Sequence, residues 1–159
     1  MKRVVKEILI GAVAAVCFLP ASCSKSESSI EQVLERANAE YKMRNLPEAM
    51  DAAREAIDKA GSSGADSLKA AALYLAANIA MMNMEDSLSW VYAEEAHNLA
   101  ISSNLPLQRC QVLLLKGKLC NYACISEANN RNEEGLKYLQ QAIAIAKEYD
   151  YNAETAQAY

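Results

Sequence analysis

The sequence is poor in the residues on which most enzymes depend. It contains one histidine, one tryptophan and one phenylalanine, and its five glycines include no loop that leads into a Lys-Ser or Lys-Thr pair. A phosphate-binding loop is therefore absent, and no serine lies in the setting of a nucleophile elbow. The paired carboxylates fall at predicted helix starts or on exposed faces, where the helix dipole explains them. We expect no enzymatic activity, no cofactor and no small-molecule substrate.

Cysteine is more frequent, but its pattern favours neither a disulfide framework nor a metal site. Apart from the N-terminal segment discussed below, Cys110, Cys120 and Cys124 are an odd number. Cys120 and Cys124 are one helical turn apart, and a disulfide at that spacing would distort the helix. We interpret all three as small buried side chains. The alternatives are a disulfide from Cys110 to another helix and a zinc site formed by His97 and the other two cysteines, but without Cys-x-x-Cys we expect no metal.

Residues 1–22 have the layout of a signal peptide. Lys2, Arg3 and Lys6 form a basic start, and an uninterrupted apolar run follows from Ile8 to Leu19. This run is too short to span a membrane comfortably, and small residues follow it, as in secretory signals. The sequence therefore predicts export from the cytoplasm.

The end of this segment carries a more specific pattern. The run Leu19-Pro20-Ala21-Ser22-Cys23 resembles a bacterial lipobox. The resemblance implies cleavage before Cys23, acylation of its thiol with fatty acids such as palmitate, and a lipid-anchored protein of the cell envelope, at the outer membrane or its periplasmic face. A plain secretory signal cut near Ala21 and an uncleaved anchor are the alternatives.

Positive charge is scarce in the remaining chain. Removal of residues 1–22 takes three of the 16 basic residues and one of the 20 acidic residues, which leaves a net charge of about −6. This balance argues against nucleic acid as a partner and offers no basic face to anionic lipid, so membrane contact would come from acylation. We expect residues 23–29 to form a polar tether and residues 30–159 to form one domain.

The composition of that domain predicts helices throughout. Ala, Leu, Glu and Lys are abundant, valine and threonine are sparse, and no run alternates apolar with polar residues. Breaks rich in Asn, Ser, Gly and Pro fall at 45–47, 61–64, 83–87, 102–106, 129–133 and 149–152. They separate six helical segments of roughly 12 to 20 residues.

These segments repeat in pairs. The first helix of each pair has a small residue at a spacing of 40, namely Ala37, Ala77 and Gly117. The second helix has two small residues seven apart, which we align as Ala49 and Ala56, Ala93 and Ala100, and Gly135 and Ala142. On this alignment the first interval grows from 12 residues to 16 and 18, so we predict longer second and third pairs. A period of about 40 residues is typical of a helical solenoid.

The small residues indicate where helices approach each other closely. Glycine in mid-helix costs about 1 kcal/mol relative to alanine, so Gly117 predicts close packing against its partner helix. Larger side chains would then fill the spaces between pairs. The expected core residues are Leu34, Leu73, Leu75, Leu99, Leu114, Leu136, Leu139 and Ile143.

The spacing of the small residues resembles that of the tetratricopeptide repeat family over residues 30–150. The resemblance implies an all-α fold, a right-handed superhelix of αα-hairpins with about three helix pairs, and a terminal half-repeat at 152–159. It also implies that the first helices line a concave face that binds a protein or peptide. The residues predicted for this groove are Asn38, Tyr41, Lys42, Asn78, Met81, Met82, Lys118, Asn121 and Tyr122.

The predicted function is an envelope-anchored helical-repeat lipoprotein that acts as a protein- or peptide-binding scaffold. The absence of catalytic motifs and the resemblance to a repeat family both favour it. The alternative is the sensory domain, or a remnant of one, of a bacterial signalling or regulatory protein that contains such repeats. The partner, in either case, is an unknown protein or peptide.

Overall fold

The computed structural model describes residues 21–123 and 131–151, with side chains from 29 to 121 and from 131 to 151. Within these ranges the chain is helical and contains no strand, which confirms the predicted all-α class. The six helices are α1 (Ala21–Lys42), α2 (Leu46–Ser63), α3 (Asp66–Met82), α4 (Asp86–Ser102), α5 (Pro106–Ala123) and α6 (Asn132–Glu148). The segment expected to be a tether, 23–29, belongs to α1. The predicted signal peptide up to residue 20 and the predicted half-repeat at 152–159 lie outside the described residues.

The turns that connect α1 to α5 share one geometry, which recurs every 20 residues. One residue in each turn has a positive φ: Arg44 at 68°, Gly64 at 71°, Met84 at 60° and Asn104 at 52°. The next N–H donates to the carbonyl five residues back, as Asn45 does to Glu40 at 2.9 Å. These bonds satisfy carbonyls at the helix end, as in a Schellman motif. A fixed turn therefore keeps the five helices in a common register.

The start of α6 shows how the third pair departs from that register. The backbone N–H of Gly135 donates to Arg131, as that of Ala49 does to Asn45 and that of Ser89 to Glu85. Gly135, Ser89 and Ala49 are therefore equivalent, and the alignment on Ala93 was wrong. Ser89 is buried and its Oγ donates to the carbonyl of Ala77 at 2.8 Å. The second pair is thus no longer than the first, and the extra residues of the third pair lie between α5 and α6.

The helices form two rows. Each helix packs against the one before and after it, and α3 also contacts α1 and α5, whereas α2, α4 and α6 make no close backbone approach to one another. A row whose members touch lies on the inside of a curved stack, because helices on the outside are spread apart. The odd-numbered helices therefore form the inner row, as predicted for the first helices of the pairs.

Small side chains dominate the core at the N-terminal end. We call this set the alanine core, and it consists of Ala49, Ala52, Ala53, Ala56, Ala60, Ala72, Ala76 and Ala80. Leu34, Leu73 and Leu75 are buried as predicted. Leu136 and Ile143 were wrongly predicted to be core residues, since they are 56% and 51% exposed. Both lie on α6, the last described helix, so no described helix packs on that side of them.

Candidate binding surface on the odd-numbered helices

One face of the inner row carries side chains in the 40-residue register. We call this face the odd-helix stripe: Leu34, Asn38 and Tyr41 on α1, Tyr74, Asn78 and Met81 on α3, and Leu114, Lys118 and Asn121 on α5. The spacing of four and then three residues places each trio on one side of its helix. Leu34 is buried, whereas Asn38, Lys118 and Asn121 are exposed and the other five are partly exposed. The stripe therefore offers polar and apolar contacts on an accessible face.

The stripe includes six of the nine residues predicted for the groove. Lys42 and Met82 each follow it by one residue; Lys42 is exposed, and Met82 is partly buried with its Sδ 3.8 Å from Arg44 Nη1. Tyr122 lies in α5, but its side chain is outside the described residues. The structure thus places the predicted residues on one row of helices, with positions 42 and 82 at its edge.

A tyrosine pair and an amide lie where α1 meets α3. Asn78 Nδ2 donates to the carbonyl of Tyr74 at 2.8 Å, so one amide hydrogen is bound within the helix. Burial raises the pKa of Tyr74, and the nearby phenol of Tyr41 raises it further. Burial also raises the pKa of Tyr41, partly offset by the charge of Arg44. Both phenols are therefore protonated at neutral pH and can donate or accept hydrogen bonds.

At the α5 end the stripe borders an open cavity of about 320 Å³ between α5 and α6. Lys118 and Asn121 contribute to its rim, and the close approach of Gly117 and Gly135 forms its floor. A Cβ built on Gly117 would lie 2.7 Å from Leu139 Cδ2, and one on Gly135 would lie 2.9 Å from the Cβ of Cys120. Helix contact thus requires both glycines, and the close packing predicted at Gly117 is confirmed.

Sequence reasoning missed an ionic cluster on the other side of α5, between α4 and α6. Lys116, whose side chain is 4% exposed, donates to Glu94 Oε1 at 2.7 Å. Its Nζ lies 4.4 Å from the ring centroid of Tyr138 and 5.8 Å from that of Trp90. Both rings therefore add cation–π attraction to the ion pair. A lysine at the position that Ala76 occupies one repeat earlier was the available signal.

Glu134 and Arg131 complete this ionic cluster at the start of α6. Tyr138 donates its phenol to Glu134 at 2.8 Å, and Arg131 Nε pairs with the same carboxylate at 3.0 Å. The guanidinium of Arg131 also lies 4.7 Å from the Trp90 ring. Burial, followed by the bond to Glu134, raises the pKa of Tyr138 to about 12. The cluster therefore joins α4, α5 and α6 through side chains, since the backbones of α4 and α6 do not meet.

Unsatisfied polar atoms lie near this cluster. His97 Nδ1, Arg109 Nε and Gln111 Nε2 are buried and have no hydrogen-bond partner within the described part of the chain. Burial lowers the pKa of His97, and Lys116 lowers it further, while Glu94 opposes this. His97 is therefore predominantly neutral at pH 7. Unpaired polar atoms of this kind make the C-terminal end costlier to bury than the alanine core.

The two described cysteines are buried free thiols. Cys110 Sγ lies 3.4 Å from the carbonyl of Ala142, and burial raises its pKa. A raised pKa disfavours the reactive thiolate. Among residues 29–121 and 131–151, no three His, Cys, Asp or Glu side chains are grouped as metal ligands. Cys124, the third residue of the alternative zinc site, lies outside the described residues.

Comparisons with protein-family models, with curated proteins and with solved structures found no match. None of the helices that the structure describes is long and apolar enough to cross a bilayer.

Proposed function

We propose that this chain is an envelope-anchored scaffold that binds a protein or peptide along the odd-helix stripe. The repeat array is proposed to be of the tetratricopeptide type, with a period lengthened to 40 residues. The observation that carries the proposal is the stripe itself, in which accessible amide, phenol, thioether and ammonium groups recur on three successive inner helices. A repeating row of this kind suits a partner that extends across several repeats.

The chemistry of the stripe favours an extended peptide. Asn38 is exposed, and the amide of Asn78 keeps its oxygen and one hydrogen available after bonding to Tyr74. Amides can pair with the N–H and C=O groups of a peptide backbone, while Tyr41 and Met81 supply adaptable apolar contact. Lys118 adds a positive charge at the α5 end. We therefore expect a partner segment with free backbone groups and an acidic residue near one end.

Anchoring is proposed to occur through acylation of Cys23. This residue lies in α1, which begins at Ala21, so a mature chain that starts at Cys23 would be helical from its acylated residue. The inner row would then begin directly at the lipid surface without a flexible tether. Intact-mass measurement of the membrane-extracted protein tests this: a mass that corresponds to residues 23–159 plus acyl chains is expected, and an unmodified N-terminus elsewhere would rule it out.

The binding proposal is tested by crosslinking in the native envelope with a matched control. One variant combines Asn38→Ala with Asn78→Ala; the control combines Asn98→Ala with Gln141→Ala, two exposed amides on outer helices. A hydrogen bond contributes about 0.5–1.5 kcal/mol, so loss of two should weaken capture of the wild-type partner by roughly 5-fold to 100-fold. The control should capture it normally. Equal capture by all three proteins would exclude the stripe as the binding surface.

A further inference from the structure

The outer face of α6 exposes apolar side chains at positions that are covered elsewhere in the solenoid. In the register set by Ala49, Ser89 and Gly135, Leu136 corresponds to Met50 and Ile143 corresponds to Ile57. Met50 is 8% exposed and Ile57 is partly buried, whereas Leu136 and Ile143 are 56% and 51% exposed. Position for position, α6 is an inner layer of the stack without its cover.

The cover at the earlier positions is the next odd-numbered helix. After the turn at Gly64, α3 runs back across the first pair and contacts both α1 and α2. After the turn at Asn104, α5 contacts both α3 and α4 in the same manner. Ile57 packs against the cluster that contains Leu73 and Ala77 of α3. Each completed pair therefore presents a groove that receives the following helix.

The end of α6 carries the same turn. Asp150 has a φ of 55°, and the N–H of Tyr151 donates to Ala146 at 2.8 Å. The corresponding bonds run from Ala65 to Ala60 before α3, and from Leu105 to Ala100 before α5. The chain thus leaves α6 as it leaves α2 and α4, in the direction of the groove between the two preceding helices.

The sequence beyond this turn continues the register of small residues. Ala156 corresponds to Ala70 and Cys110, and Ala158 corresponds to Ala72 and Val112. The corresponding residues of α3 and α5 are all buried. We propose that the groove between α5 and α6 is the docking surface for the chain's own segment that begins at residue 152, which packs there as a seventh helix. This surface is separate from the odd-helix stripe and does not depend on the function proposed for it.

Thiol labelling of the full chain tests the docking. Ile143→Cys reports the groove, and Ile101→Cys is the matched control, because Ile101 on α4 is 50% exposed and has no helix expected over it. Labelling is read at each introduced site by peptide mass spectrometry, so the native cysteines do not interfere. We expect Ile143→Cys to react at least about 10-fold more slowly than Ile101→Cys, since a covered side chain reacts only when the segment opens.

A second substitution identifies what covers the groove. Adding Ala158→Asp places a charge in the contact, and the labelling rate at position 143 should rise to that of the control. Equal rates without this substitution would overturn the proposal. Slow labelling that Ala158→Asp does not relieve would also overturn it, as would protection that increases with protein concentration, because the cover would then be a second copy or another partner. Far-UV circular dichroism of each variant confirms that the helices remain formed.

Discussion

The two ends of the solenoid share one register but fill it with different chemistry. Position 76, between α2 and α4, is an alanine with no exposure, whereas the equivalent position 116 is a buried lysine. The neighbouring position differs as well: Arg54 on α2 corresponds to Glu94 on α4. The lysine is therefore accommodated because its neighbour changed with it. The turns fix where side chains point, and the residues at each position decide whether the interior is dry or ionic.

The difference has an energetic consequence. Alanines in the first end allow close helix approach and bury no polar side chain, so their stabilisation comes from packing and apolar burial. At the other end, the ionic cluster must offset the desolvation of Lys116, and His97, Arg109 and Gln111 keep unsatisfied atoms. We infer that the C-terminal end is the less stable of the two.

The largest expected effect follows from moving the lysine to the alanine core. Ala76→Lys would bury a cation where the neighbouring position holds Arg54 rather than a carboxylate. An uncompensated buried charge costs about 3–5 kcal/mol, which chemical denaturation would measure as a loss in the free energy of unfolding. Ala39→Lys, at an exposed position on α1, is the control and should cost under about 0.5 kcal/mol. Combining Ala76→Lys with Arg54→Glu should restore part of the loss, and a complete absence of rescue would contradict the pairing argument.

A smaller effect is expected from emptying the ionic cluster. Lys116→Ala removes a long buried side chain and leaves a cavity, which should lower the free energy of unfolding by about 2–4 kcal/mol. Lys116→Met keeps most of the volume and removes the desolvated charge, so its cost should stay below about 1.5 kcal/mol. Denaturant titrations of the two variants side by side provide the measurement. If methionine proves as costly as alanine, then the ion pair and the aromatic contacts of Lys116, rather than its volume, stabilise this end.

The smallest expected effect is a dependence on pH that originates at His97. Its pKa is lowered in the folded protein, while the unfolded chain has a value of about 6.5. As the pH falls below about 6.5, the unfolded state therefore binds more protons, and stability decreases until the folded pKa is passed. His97→Gln should flatten the change in denaturation midpoint between about pH 7.5 and 5.5. An unchanged slope in that variant would assign the dependence to other groups.

The fold class and the inner row were predictable because small residues recur at a fixed spacing. Ala37, Ala77 and Gly117 marked the first helices correctly. The second helices were misaligned because Ser89, a buried serine, was not counted as a small residue, and Ala93 lies one helical turn further on. The turns could not be read from residue type, since Arg44 and Met84 adopt a φ that side chains of their kind rarely take.

The candidate site was predictable in part. The register of the first helices placed six residues on the odd-helix stripe, because spacing alone determines which residues share a helix face. The ionic cluster was missed because lysine is nearly always assigned to the surface, and burial of Lys116 depends on Glu94 and Tyr138 from two other helices. Leu136 and Ile143 were placed in the core by their apolar character, which does not reveal whether another helix covers them.

Trp90, the single tryptophan of the chain, gives the two ends separate spectroscopic signatures. Its indole stands beside two cations, the ammonium of Lys116 and the guanidinium of Arg131. Intrinsic tryptophan emission therefore monitors only the junction of α4, α5 and α6, and it is blind to the alanine core. Far-UV ellipticity counts all six helices equally. A melt followed by both signals would show whether the molecule opens as one cooperative unit or frays first at the fluorescent end.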